Sequence, residues 1–287
     1  MHVVILASEP GWHTDELARA TSARGLEPLL LPWEANVGRM GVARGVSNSG
    51  HLLRDARAVI ARIIPGGSLE QIIYRVDTLH RLEEDGVRVM NTARAIERTV
   101  DKAWTSDILE RAGLATPETV TCERADDAFA AFRAMGDVVV KPIFGSMGLG
   151  ISRVSDEDMA WRVFRVVETV RGVFYLQRFI PHGGRDIRVF VVGGKVLGAM
   201  ERRAPGWRTN FSRGGSVRAF ELPPEWAELA VRAAEAVGAE YAGVDLLPTE
   251  DGTVYVLEVN GIPGWEGLQR TTGIDVADAI IGQLLAR

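Results

Sequence analysis

The 287-residue sequence has a single cysteine, Cys122. No disulfide can form within the chain, and such usage suits a reducing compartment. No apolar run approaches the roughly 20 residues of a membrane-spanning helix. The opening MHVVILASEP lacks a basic stretch, and its apolar run is too short for a secretion signal. The formal charge of −5 excludes a global basic field that would draw in nucleic acid, although segment 185–218 is locally rich in arginine. The five histidines show no metal-ligand spacing. These absences lead us to expect a cytoplasmic protein with neither nucleic acid nor membrane as partner. The remainder is ordinary for a globular chain, 46% hydrophobic and 25% charged, and long enough for two domains or three small ones.

The first third alternates strand and helix. Val3 to Ala7, EPLLLPW and AVIARII are apolar strand candidates, and VRVMN follows as another. Thr14 is placed to cap a helix that Gly25 ends, and LEQIIYRVDTLHRLEEDG has apolar residues at helical spacing up to Gly86. This alternation favours a parallel sheet covered by helices. From Asp101 the pattern changes. DKAWTSDILERAGL reads as a helix, DVVVKP as a buried strand, and ISRV as a strand resuming after a glycine loop. MAWRVFRVVETV is helical and VFYLQRF extended. The last third reads as antiparallel sheet: a hairpin turning at Gly193-Gly194, a helix ending at Gly238, the paired strands YAGVDLLP and VYVLEVN, and a closing helix VADAIIGQLLA.

Three groups of residues carry chemistry. Lys141 closes an apolar run and leads into IFGSMGLG, where Gly145, Gly148 and Gly150 free backbone N–H groups to close on an anion. A buried lysine needs an anionic partner, and phosphate is the natural one. With a strand rather than a helix after the glycines, the usual dinucleotide and P-loop patterns weaken. Asp245, Glu258 and Asn260 form the second group. Glu258 and Asn260 share one strand face, and a hairpin with YAGVDLLP would bring Asp245 to it. Hard oxygen donors without His or Cys suit magnesium. Third, Arg188, Arg202, Arg203 and Arg208, with Asn210, sit on one hairpin and its loop, fit for phosphate and carboxylate groups. Cys122 lacks a partner base, and His182 reads as a turn residue.

Taken in order, these pieces resemble the ATP-grasp superfamily, and within it the RimK-type α-L-glutamate ligases. The resemblance runs nearly the whole length, through AIERTVDKAWTSDILERAGLATP, VVVKPIFGSMGLGI, RDIRVFVVGGKVLGAMERRA, RTNFSRGG, AGVDLL and LEVNGIPGWEGLQRTTGIDVADAI. It implies an α/β fold, α+β toward the C-terminus. A Rossmann-like pre-ATP-grasp domain (1–92) would be followed by a central lobe (93–176) and a C-terminal lobe (177–287) with ATP between them.

The resemblance also implies roles. Lys102 and Lys141 contact ATP phosphates, and Gly145, Ser146, Met147 and Gly148 belong to a loop that covers them. Gln177, Arg178, Phe179 and Ile180 form the adenine hinge, Asp186 meets the ribose, and Arg208 and Asn210 complete the nucleotide site. Asp245, Glu258 and Asn260 hold Mg2+, for which Mn2+ is expected to substitute. Arg188 and Arg203 act on the transferred phosphoryl group. Arg62 and Arg202, with the N–H groups of Gly261 and Gly264, face substrate. Arg178 departs from the family pattern, which often has Glu there. The implied reaction joins L-glutamate to a carboxylate acceptor through an acylphosphate, in a homo-oligomer (dimer or tetramer). A small coenzyme of the tetrahydromethanopterin type is favoured as acceptor over a protein C-terminus. A phosphotransferase and a non-catalytic nucleotide-binding module are the readings from other classes.

Overall fold

Val3, Val4, Ile5 and Leu6 are all fully buried, as a strand covered on both faces requires. The computed structural model describes residues 1–145, 148–209 and 216–286. That first strand, β1 (His2–Leu6), leads into α1 (Trp12–Ser22), β2 (Glu27–Leu31), β3 (Asn36–Arg39), β4 (Gly45–Asn48), β5 (His51–Leu52) and β6 (Ala58–Ala61). Then come α2 (Leu69–Glu84), β7 (Val89–Met90), α3 (Ala93–Val100) and α4 (Lys102–Arg111). Strands β2-β1-β6-β7 form one sheet, parallel throughout, as the alternation predicts. The expected cap at Thr14 is corrected. The helix begins earlier, with Gly11 as N-cap, and the Thr14 hydroxyl reaches back to bond the Gly11 backbone. The small antiparallel sheet β3-β4-β5 has no clear signal in a glycine- and polar-rich segment.

The chain continues through β8 (Thr119–Cys122), α5 (Ala125–Met135), β9 (Val138–Lys141), β10 (Ser152–Val154), α6 (Glu157–Thr169) and β11 (Phe174–Arg178). Strands β10-β9-β11-β8 make a second sheet backed by α5 and α6 through Phe132, Phe164 and Phe174. The last stretch contains β12 (Arg185–Val192), β13 (Lys195–Arg203), β14 (Ser216–Ala219), α7 (Pro224–Val237), β15 (Tyr241–Pro248), β16 (Val254–Asn260), α8 (Glu266–Thr272) and α9 (Val276–Leu285). Its sheet runs β14-β13-β12-β15-β16, with antiparallel pairing throughout. The Gly193-Gly194 hairpin forms where expected, with both glycines at positive φ. Among the described residues, no helix is long and apolar enough to cross a membrane.

Two features bind the first sheet to the last. Helix α9 packs Ile280, Ile281 and Leu284 into the same core as Val3, Ile5 and Leu17, joined by Phe190 and Trp265. Asn91, fully buried, donates to the carbonyls of Tyr241 and Gly261 at 2.7 and 2.6 Å. Its amide oxygen accepts from the N–H groups of Glu240 and Tyr241. One side chain thus satisfies backbone groups at the start of β15 and just beyond the end of β16. Asn91→Ala would leave these groups buried without partners, and we expect a loss of about 2–4 kcal/mol in urea unfolding. A loss below about 1 kcal/mol would show that Asn91 does not carry this junction.

Candidate active site

Residues of the β10-β9-β11-β8 sheet and of the β14-β13-β12-β15-β16 sheet line one open cleft. Its walls divide by chemistry. Pro117, Val139, Ile151, Phe179, Ile180, Leu247 and Leu257 form an apolar section. Lys102, Lys141, Asp186, Arg202, Arg208, Asp245 and Glu258 form a charged one. A flat apolar slot continuous with a charged floor suits a nucleotide, whose base is apolar-faced and whose phosphates are anionic.

Strand pairing sets the carboxylates. Asp245 on β15 lies opposite Glu258 on β16, with Gly243 opposite Asn260. All three candidate metal donors therefore share one face, as the spacing predicts. A register shift after Asp245 bends the pair at that point. Gly243 matters here because a Cβ would meet Arg188 Cδ at 3.0 Å and Pro263 Cβ at 2.9 Å. Its lack of a side chain lets Arg188 cross the sheet to Asp245.

Asp245 is 3% exposed and gripped twice. Arg188 binds both of its oxygens, and Arg202 Nη2 reaches Oδ2 at 2.8 Å. Arg202 also donates to Asp186 through Nε and Nη2, at 2.6 and 2.8 Å, and Thr209 donates its hydroxyl to Asp186. Burial pushes the Asp245 carboxyl up, but Arg188 and Arg202 outweigh it and hold the group below the usual carboxylate range. Glu258, by contrast, makes no hydrogen bond or ion pair among the described residues and faces the cleft.

The donor chemistry fits magnesium. Glu258 and Asp245 supply carboxylate oxygens, and Asn260, whose Nδ2 donates to the Gly243 carbonyl at 3.3 Å, keeps its amide oxygen. The described residues contain no group of three His, Cys, Asp or Glu placed to hold an ion. A hard cation completed by phosphate oxygens and water is what such an oxygen-poor set suits.

Lysine positions follow from β9 and α4. Lys141 donates Nζ to Gln177 Oε1 at 2.6 Å, and Gln177 Nε2 is anchored by Thr119 and Tyr175 at 3.1 Å each. Lys102 donates Nζ to the Gly145 carbonyl at 2.6 Å, at the entry of the glycine loop. Burial, the largest influence, pulls the Lys141 pKa down to about 8. Glu258 resists and Lys102 adds to the fall.

Several sequence-based expectations need correction or refinement. Arg203 does not line the cleft. Side chains alternate along β13, so Arg202 faces the cleft while Arg203 lies on the other face, 54% exposed and paired with Glu201. There Arg203, Arg218 and Arg185 together overcome burial and bring the Glu201 carboxyl down to about 2. Gln177 lines the cleft, and its side-chain oxygen accepts from Lys141. Arg178 turns outward to Glu118 and to the Met135 carbonyl, leaving only part of it at the cleft. Phe179, Ile180, Asp186 and Arg208 do line the cleft. Arg62 and Gly264 sit apart from it: Arg62 is buried against Trp265, and Gly264 lies beside His13. Gly261 is bound through its carbonyl to Asn91. Ser146, Met147 and Asn210 lie outside the described residues.

Sequence reasoning missed Tyr175, whose hydroxyl meets Ser106 at 2.9 Å and whose ring lies 5.7 Å from Lys141 Nζ. Its spacing two residues before Gln177 was the available signal. It also missed Trp207 and Thr209 on the cleft wall.

Comparison with known proteins agrees with this geometry. Residues 99–284 match the model of the RimK-like ATP-grasp domain. A tetrahydromethanopterin:alpha-L-glutamate ligase of Methanosarcina acetivorans is 34% identical, over 98% of this chain and 97% of its own. A Methanococcus maripaludis protein of the same name is 32% identical over 99% and 98%. A probable alpha-L-glutamate ligase of Shewanella frigidimarina is 35% identical over 98% and 95%. Among solved structures, a RimK domain ATP-grasp protein from Sphaerobacter thermophilus superposes with a TM-score of 0.79 at 24% identity, over 100% of both chains. The ATP-grasp ligase PsnB, complexed with a minimal precursor, gives 0.78 at 22%, over 99% of this chain and 98% of its own. The fold is thus the ATP-grasp fold.

The Lys141 environment makes a pH prediction. Its folded pKa lies below the unfolded one, so its charge detracts from stability below about pH 8, and that penalty fades from there to about 10.5. The same charge attracts phosphate. The affinity for Mg-ADP, measured by calorimetry, is expected to fall as pH rises through about 8, while Lys141→Met binds weakly and without this step. A flat profile in the unmodified protein would exclude the role.

Proposed function

The chain belongs to the RimK-like ATP-grasp family, and from that premise we propose that it is an ATP-dependent carboxylate–amine ligase. It joins L-glutamate to a carboxylate acceptor and releases ADP and phosphate. The observation that carries this reading is the convergence of Lys102 and Lys141 on the same cleft as the Asp245–Glu258 pair. A cation from β9 and one from the start of α4, facing two carboxylates of the β15–β16 pair, are what phosphate and its metal require.

In this reading the base lies against Phe179, Ile180, Val139 and Leu257, and the phosphates run toward Lys141 and Lys102. Asp245, Glu258 and Asn260 hold Mg2+, or Mn2+ in its place, which when bound neutralises phosphate charge. The acceptor carboxylate attacks the γ-phosphate, giving an acylphosphate, and the amine of glutamate then displaces phosphate. Arg202, rather than Arg203, is the cation of this pair on the cleft wall beside the transferred group, and Arg188 acts through Asp245, to which it is paired. Charge in such a transfer is spread over oxygens, so these residues act by position and electrostatics.

The acceptor we propose is a small coenzyme of the tetrahydromethanopterin type, supported by the names of two relatives that match nearly end to end. A homo-oligomer belongs to the same reading, supported by Leu69, Ile72 and Ile73, which α2 leaves exposed along one side.

Two measurements test the function. With Mg2+, ATP, glutamate and the pterin acceptor, the product is expected to gain one glutamate residue in mass as ADP appears. Release of AMP and pyrophosphate would overturn the acylphosphate route. Glu258→Ala removes the free carboxylate and is expected to lower kcat about 100- to 1000-fold, the order seen when an electrostatic element of a transition-state site is lost. Turnover within tenfold of the unmodified protein would exclude Glu258 from the site.

A further inference from the structure

Arg62 is a buried cation without a counter-ion. It follows the last residue of β6 and is 4% exposed. Its Nη2 donates to the Pro263 carbonyl at 3.3 Å, and its guanidinium lies 4.7 Å from the centre of the Trp265 ring. Nη1 is buried with no hydrogen-bond partner, and among the described residues Arg62 enters no ion pair. The ionisable groups that face it carry no negative charge. His13, at the start of α1, is pulled down to about 4 by burial and by Arg62 itself, and it stays neutral while its Nε2 accepts from the Trp265 backbone N–H. Burial pushes the Tyr241 phenol up against the pull of Arg62, to which its side chain is hydrogen-bonded, so it too stays neutral and supplies no counter-charge. An isolated buried charge is among the costliest features a fold can hold, and it is normally matched by an anion.

The location supplies a reason. In the order β2-β1-β6-β7, the connections from β1 and β6 lead to opposite sides of the sheet. The carboxyl ends of these two strands form the switch point at which open parallel sheets take ligands. The N-terminus of the 11-residue α1 is at the same place, with its partial positive charge. The segment that closes over Arg62, Pro263 to Trp265, leaves directly from the strand of Glu258 and Asn260. Arg62 does not line the nucleotide cleft, so nucleotide phosphate is not its partner.

We propose that Arg62 and the N-terminal end of α1 form an oxyanion subsite for the acceptor, taking a carboxylate or phosphate group remote from the carboxylate that reacts. The acceptor assignment rests on the ligase reading, whereas the subsite itself rests on the unmatched cation. Trp265 stacks on the guanidinium face, which leaves its edge for the anion, the geometry in which arginine discriminates best.

The test uses the full chain saturated with Mg-ADP, so that the nucleotide cleft is filled. Inorganic phosphate and glutarate serve as probes in thermal unfolding. Each is expected to raise the midpoint of the unmodified protein and to leave Arg62→Met unmoved. Without ions, Arg62→Met is expected to melt no lower than the parent and to bind Mg-ADP within twofold of it. A lower melting point with the ion response retained would make Arg62 a structural residue and overturn the proposal. Should Arg62→Met fail to fold, Arg62→Lys decides. A point charge in place of the fork is expected to weaken the ion response about tenfold, and an undiminished response would overturn the subsite. In turnover, Arg62→Met is expected to raise the acceptor KM roughly 100-fold with the glutamate KM unchanged. A rise in the glutamate KM instead would overturn the acceptor assignment. If the unmodified protein glutamylates no pterin, the ligase reading fails at its acceptor, while the phosphate and glutarate response still decides the subsite.

Discussion

The pairing of β15 with β16 is the constraint on which the rest of the site depends. It puts Asp245 directly across from Glu258, and a slip of one residue would turn one of them to the opposite face. Asp245 then needs compensation, because a buried carboxylate alone is unstable as an anion. Arg188 and Arg202 supply it, and Arg202 draws in Asp186 and Thr209. Four polar side chains are thereby ordered around one buried charge. The network is alternately signed, so each member stabilises its neighbours and removal of one leaves the next unmatched.

The two carboxylates differ because their surroundings differ. Asp245 is enclosed between guanidinium groups, whereas Glu258 stands opposite Lys141 with its oxygens uncommitted. Lys141 is held by neutral Gln177, which steers the ammonium without neutralising it. A carboxylate at Gln177 would compete with phosphate for the lysine. The cleft therefore has an uncommitted carboxylate beside the lysines and a paired one among the arginines.

Much of this was legible in the sequence. Alternating apolar runs and turn glycines gave the parallel sheet and the 193–194 hairpin, because both signals are local. That Glu258 and Asn260 share a face was legible because residues two apart on a strand point the same way. Arg202 and Arg203 were not resolved, since adjacent residues on a strand differ only in face, and face depends on register with β12. The outward turn of Arg178 depends on Glu118, sixty residues away, and the role of Gln177 depends on Lys141, thirty-six residues away. Lysine scarcity was an unused signal: of the chain's three lysines, two are in the cleft.

Helix α9 has a consequence for how the molecule can be taken apart. It covers the first sheet with residues from the far end of the described chain, and the core they share includes Phe190 and Trp265 from the ATP-grasp part. A cut near the boundary suggested by sequence would strip Val3, Ile5 and Leu17 of their cover and expose a greasy wound on both fragments. The N-terminal sheet is therefore not a detachable module. Swapping it among relatives to change acceptor preference would require carrying α9 and the 261–265 loop with it, as one transplant in three pieces.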